Sequence, residues 1–175
     1  MKNISTAERA DIPALISLLN SAYRGEASKE GWTTEANLLK GNQRMDRETL
    51  TEHMGRPDAL ILKYSGTENN IQGCVFLQKK KSSMYLGMLA VSPDQQANGI
   101  GKKLLAAADE HARLMNCDTI HMTVISAREE LIAWYLRHGY RATGESMPFT
   151  PEEKFGIPMQ PLEFIVLERK LGDKN

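Results

Sequence analysis

The stretch Leu89–Leu105, LAVSPDQQANGIGKKLL, constrains this chain more than any other. An apolar run stops at a proline, a turn with two glycines follows, and a helical stripe begins within a few residues. That order predicts a strand, a tight turn and a helix in immediate succession. A helix N-terminus presents four backbone N–H groups without intrahelical partners and about half a positive charge. Gly99 and Gly101 let an anion approach those groups without meeting a Cβ, and Lys102 follows at once. The same glycines would equally permit close packing of strand and helix, so the turn alone leaves both readings open. A dinucleotide fingerprint is disfavoured because Leu104 stands where its third glycine belongs, and residues 96–103 do not spell a nucleotide P-loop.

The surrounding chain reads as one mixed α/β domain over residues 1–175, without repeats or a linker. KNISTA is a strand candidate. Asp11 is placed to cap a helix with Pro13 in its first turn, on which Ile12, Leu15, Ile16, Leu19, Ala22 and Tyr23 recur at helical spacing. RGEASKEGW breaks the pattern, and two weaker helical segments follow near Thr34–Leu39 and Asp46–Met54. ALILKY, IQGCVFLQ and MYLGMLAV then read as strands, the last apolar on both parities and so covered on both faces. Beyond the glycine turn, Ile100, Leu104, Ala108, Ala112 and Met115 form a helical stripe. DTIHMTVI is a strand, REELIAWYLRHG a helix ended by Gly139, and YRATGE and LEFIVLER are further strands.

Composition narrows the partners. Lys plus Arg equal Asp plus Glu at 22 each, so no global field draws the chain to nucleic acid or to an anionic membrane. Lys79–Lys81 reads as a solvated hairpin tip. Cys74 and Cys117 lack any paired spacing and lie in apolar surroundings, which argues against a disulfide or a metal site. No run approaches the roughly 20 apolar residues of a membrane span. The expectation is a soluble, cytoplasmic protein, monomeric or homodimeric, with LEFIVLER available to pair across a dimer.

Val91-Ser92-Pro93 followed by Gln96-Ala97-Asn98-Gly99-Ile100-Gly101 resembles the acetyl-CoA signature of the GCN5-related N-acetyltransferases, the GNAT family: V-x-P, then [Q/R]-x-x-G-x-[G/A] at the same separation. LIAWYLRHGY is similar to the family's second marker, an aromatic-Tyr pair on a short helix before Gly-Phe or Gly-Tyr. The order of elements from Thr6 to Arg169 resembles the family over nearly the whole chain. Two departures stand out. Ala97 occupies a position where many relatives carry glycine and is tolerable while its φ stays negative, and Arg128 stands where many place asparagine.

The resemblance implies a mostly antiparallel central sheet flanked by helices, with a parallel strand pair that splays apart. It implies acetyl-CoA as cosubstrate and direct acetyl transfer to a primary amine of a small molecule or peptide. Backbone groups of Leu89, Ala90 and Val91 would pair with the pantetheine arm, with an N–H among Leu89 and Ala90 polarising the thioester carbonyl. Gln96, Ala97, Asn98, Gly99, Ile100, Gly101 and Lys102 would hold the pyrophosphate. Tyr135 would be the general acid for the departing thiolate, with Trp134 left to the core. An alkylamine is almost wholly protonated at pH 7, a deficit of roughly 4 kcal/mol, so a base is sought. Glu26 and Glu35 are the leading candidates, with Glu30, His121 and Glu145 behind them and water as another route. Tyr23, Trp32 and Phe149 are expected to touch the acceptor, and the loop over residues 146–161 to close that side. The competing reading is a CoA-binding regulatory or sensing module that keeps the cradle without transferring.

Overall fold

The computed structural model describes residues 2–172. In chain order its elements are β1 (Ile4–Thr6), α1 (Ile12–Tyr23), α2 (Gly25–Ser28), β2 (Leu39–Lys40), α3 (Arg47–Met54), β3 (Ala59–Ser65), β4 (Ile71–Lys80), β5 (Ser83–Val91), α4 (Ile100–Leu114), β6 (Thr119–Ile125), α5 (Glu129–Arg137), β7 (Arg141–Pro148), β8 (Ile157–Pro158) and β9 (Glu163–Lys170). Seven strands form one sheet in the order β1-β3-β4-β5-β6-β9-β7, while β2 and β8 pair apart from it. Every neighbouring pair is antiparallel except β5 and β6. This is the expected α/β class: a single mixed sheet with flanking helices and one parallel pair.

The central strands β3, β4 and β5 are covered on both faces, while β7 at the sheet edge is exposed throughout. Leu62, Val75, Leu77, Met84 and Leu86 pack with Ile100, Leu104 and Ala108 of α4 and with Tyr135 of α5. Ile61, Cys74 and Phe76, one residue out of phase, pack with Leu15, Leu18 and Leu19 of α1 and Leu50 of α3. The period of two along each strand therefore feeds two separate cores. Both cysteines are buried and free. Among the described residues no helix is long and apolar enough to cross a membrane, and no cluster of three or more potential metal ligands occurs.

Several local expectations shift. Asp11 precedes α1 without capping it; its carboxylate accepts the Glu8 N–H at 2.7 Å and pairs with Lys63 at 2.7 Å. Thr34–Leu39 is a turn leading into β2 rather than a helix, since Glu35 is drawn inward by ion pairs that an amphipathic face does not require. RGEAS, expected to be irregular, contains the single helical turn α2. Strand β9 has both edges filled, by β6 and β7, so it cannot pair across a dimer. Asp46, at the start of the second expected helical segment, caps α3 by accepting the Thr49 N–H at 2.8 Å. The late loop is tied down where Leu39 and Lys40 pair with Pro158 and Ile157.

Candidate active site

The site begins with one extra residue in β5. Cys74 of β4 faces Ala90 while Phe76 faces Gly87, so Val75 alone spans Met88 and Leu89, and Met88 takes φ 50°. Such a bulge bends and overtwists its strand. It also reverses the strand's parity: Met84 and Leu86 point toward α4 before it, and Leu89 and Val91 after it. Met88 and Ala90 turn to the α1 side. Pairing with β6 stops after Tyr85 and His121, and the two strands part beyond that point.

Backbone groups facing the opened seam are identified by what they bond. The Leu89 carbonyl accepts the Tyr23 hydroxyl at 2.6 Å, and the Val91 carbonyl accepts the Gln96 side-chain amide at 3.2 Å. Because backbone groups alternate sides along a strand, the Leu89 and Val91 N–H groups share that seam. The Ser92 N–H bonds the Gln72 carbonyl of β4 at 2.8 Å, so by the same alternation the Ala90 groups face β4 instead.

Two cavities open on the seam. The larger, of about 500 Å³, is bounded by the start of α4 and by Leu89, Val91, Ile100, Leu131 and Trp134. Gly99 is the N-cap of α4 at φ +73°, no side chain caps the helix, and a Cβ on Gly99 would meet nothing within 4 Å. The first amides of α4 therefore line open space, with Lys102 beside them. Ala97 departs from expectation: its φ is 71°, the left-handed region, where its methyl is unfavourable. Gly101 serves packing, since a Cβ there would lie 3.3 Å from the Trp134 ring. Asn98 lines neither cavity. Uncapped amides with a lysine suit a diphosphate, and the apolar walls suit a pantetheine chain, so the residues present fit coenzyme A.

Trp32 and Trp134 both border the larger cavity. Trp32, expected at the acceptor, lines the larger cavity, with its backbone N–H donating to Gln96 Oε1 at 2.9 Å and its ring centroid 6.1 Å from that of Trp134. Trp134, left to the core by the sequence, packs against that core from a half-buried position and also forms the cavity's wall. The pairing of residues 32 and 96 is a long-range contact that no local pattern announces.

The smaller cavity, of about 200 Å³, lies between β5 and β6 and is walled by Tyr23, Tyr85, Phe149, Phe155 and Phe164. Tyr23 and Phe149, expected to touch the acceptor, both line this cavity. Burial pushes the Tyr23 hydroxyl up to about 12, against the opposing charges of Arg128 and Arg44. Three residues, Leu89, Leu131 and Tyr135, belong to the walls of both cavities. Tyr135 is 5 % exposed, and burial raises its phenol well above the ordinary value. It is fully protonated at neutral pH.

The carboxylates sort differently from expectation. Glu26 is 91 % exposed, pairs with Lys29 at 2.9 Å and lines neither cavity. Glu30, Glu145 and His121 also line neither; His121 bonds the Ser83 hydroxyl at 2.6 Å. Glu35 does reach the smaller cavity, but Arg24 Nε holds one oxygen at 2.8 Å and Arg128 Nη1 the other at 3.2 Å. A proton on Glu35 would leave two buried guanidinium groups without a counter-charge. Among the cavity's lining residues there is neither an unpaired carboxylate nor an imidazole. Sequence reasoning missed Arg24 and Arg44 and noted Arg128 only as a departure, because isolated arginines in a charge-neutral chain carry no signal.

Comparison with known proteins agrees with this geometry. A family model described as an acetyltransferase (GNAT) domain matches residues 28–165. No curated protein sequence matches the chain. Among solved structures, the ribosomal-protein-S18-alanine N-acetyltransferase of Escherichia coli superposes with a TM-score of 0.72 at 17 % identity, over 100 % of this chain and 97 % of its own. The ribosomal-protein-alanine N-acetyltransferase of Brucella melitensis gives 0.69 at 21 %, over 96 % and 99 %. A putative acetyltransferase from Salmonella typhimurium, solved with its cofactor acetyl-CoA, gives 0.65 at 16 %, over 98 % and 95 %.

Proposed function

Because the chain belongs to the GNAT family of acetyl-CoA-dependent acetyltransferases, we propose that it acetylates the primary amine of a small molecule seated in the cavity between β5 and β6, by direct transfer within a ternary complex. The observation that carries this reading is the position of Tyr135 in the shared wall of the two cavities. Bound acetyl-CoA supplies an electrophilic thioester carbon and a thiolate leaving group. Amides of the α4 start, from Gly99 to Lys102, hold the diphosphate in the larger cavity. The Leu89 N–H stabilises charge growing on the thioester oxygen. Tyr135 keeps its proton to neutral pH and above, and gives it to the departing sulfur.

Deprotonation of the amine is assigned to the cavity's charge rather than to a base. Arg24, Arg44 and Arg128 line it against the single carboxylate of Glu35. Net positive surroundings disfavour an ammonium ion and favour the neutral, nucleophilic amine, whose proton leaves to water. The alternative, a sensing module that binds CoA without transfer, would require neither a second cavity nor a protonated phenol between the two.

The test has two arms. Calorimetric titration with acetyl-CoA should show saturable binding, and a screen of amines that follows free thiol release should reveal turnover with a small acceptor. Binding without turnover for any amine would favour the sensing module.

A further inference from the structure

The smaller cavity carries more positive charge than its own residues neutralise. Arg24, Arg128 and Glu35 are 2 %, 4 % and 6 % exposed, so one buried carboxylate faces two buried guanidinium groups. Arg24 completes its bonding on the carbonyls of Gln43 and Phe155. Arg128 gives Nη2 to the Thr33 hydroxyl at 2.7 Å, but its Nε has no partner among the described residues. Arg44 lines the same cavity and makes no ion pair among the described residues. Guanidinium carbons of Arg44 and Arg128 lie 5.4 Å and 5.5 Å from the centre of the Tyr23 ring. Other acids nearby do not supply the missing charge: Glu130 is exposed and bonds Thr33 from outside, and Asp46 pairs with Lys154. Uncompensated buried cations are expensive to keep and are retained where a ligand supplies the counter-charge.

From this excess we infer that the acceptor is an amine of amino-acid size that carries a carboxylate, which Arg44 and Arg128 receive beside the Tyr23 ring. This deepens the acetyltransferase reading and rests on it. A cavity of about 200 Å³ falls below the roughly 300–1,000 Å³ of drug-sized sites and suits so small a molecule. Guanidinium groups bind carboxylates through paired N–H donors, which gives orientation as well as charge. The anchored carboxylate offsets part of the excess and leaves the cavity net positive, so the amine stays neutral. A polyamine or another polycation would add like charge to the same space.

The experiment compares matched acceptors by free thiol release from acetyl-CoA: glycine, methionine, phenylalanine and glutamate, their α-carboxamides, and spermidine. The carboxylate members should be preferred in kcat/KM by about tenfold or more over their amides. Arg44→Gln should erase that preference mainly through KM for the carboxylate, with Arg44→Lys restoring part of it; a thermal melt confirms that both variants fold. Equal or better turnover of the amides or of spermidine overturns the inference, as does absence of turnover with every carboxylate. Acetyl-CoA titration separates the two levels: if the cosubstrate binds and only uncharged or cationic amines react, the anionic acceptor falls and the transferase stands. If acetyl-CoA does not bind, both fall.

Discussion

The Tyr23 hydroxyl donates a 2.6 Å hydrogen bond to the Leu89 carbonyl, 66 residues along the chain, and so joins the end of α1 to the strand that borders both cavities. Its ring also lies within reach of two guanidinium groups. Tyr23→Phe removes the bond and leaves a carbonyl at the seam unpaired. The expected cost is about 1 kcal/mol of stability, a fall in Tm of roughly 2–4 °C by calorimetry, with a raised acceptor KM. An unchanged melt would mean that the bond contributes nothing.

Tyr135→Phe is expected to lower kcat by about ten- to a hundredfold while leaving acetyl-CoA affinity nearly intact. Burial keeps this phenol protonated well past its ordinary value of 10.0, so kcat should show no alkaline decline below about pH 10 from this group. Wild-type kinetics in the variant would remove the acid from the mechanism.

Glu35→Gln and Glu26→Gln should behave as opposites. The first leaves Arg24 and Arg128 buried without a counter-charge and is expected to destabilise the fold by about 3–5 kcal/mol, read by chemical denaturation. The second changes an exposed side chain and should alter neither stability nor turnover. A stable Glu35→Gln enzyme with a selectively lost kcat would restore Glu35 as the base.

Gly99→Val and Ala97→Gly probe the same turn from opposite directions. Valine at φ +73° is strained and would extend into the open space at the start of α4, so acetyl-CoA affinity should drop sharply. Ala97 already occupies φ 71°. Glycine there relieves a strain of roughly 1–2 kcal/mol, offset in part by greater unfolded-state freedom, for a net gain of about 0.5–1 kcal/mol. Quenching of Trp32 and Trp134 fluorescence by added coenzyme A would report affinity for both variants, because both rings border the cavity.

Asp46 anchors the acid limb of the stability profile. Hydrogen bonds from Thr49 and then Lys154 lower its carboxyl from the ordinary value of 3.8 to about 2. A depressed carboxyl stabilises the fold fully above its unfolded value and loses that contribution as pH falls toward about 2. Asp46→Ala should therefore cost about 1 kcal/mol at neutral pH, with the difference from wild type vanishing on acidification. A constant difference down to pH 2 would refute the assignment.

What the linear order of residues determined was whatever depends on near neighbours. The strand that ends at Val91, the turn at Gly99 and the helix that starts at Ile100 follow from period, proline and glycine over a dozen positions. Tyr135 was legible for the same reason, as part of a motif on one short helix. What the tertiary structure alone decided lies between distant segments. Met88 at a bulge sets which β5 backbone groups face the seam, and no propensity marks that methionine. Glu35 looked available as a base because its partners, Arg24 and Arg128, are 11 and 93 positions away and meet it only when the loop after α2 crosses to α5. A backbone pattern is written locally, whereas the charge of a cavity is a sum over side chains that only folding brings to the same place.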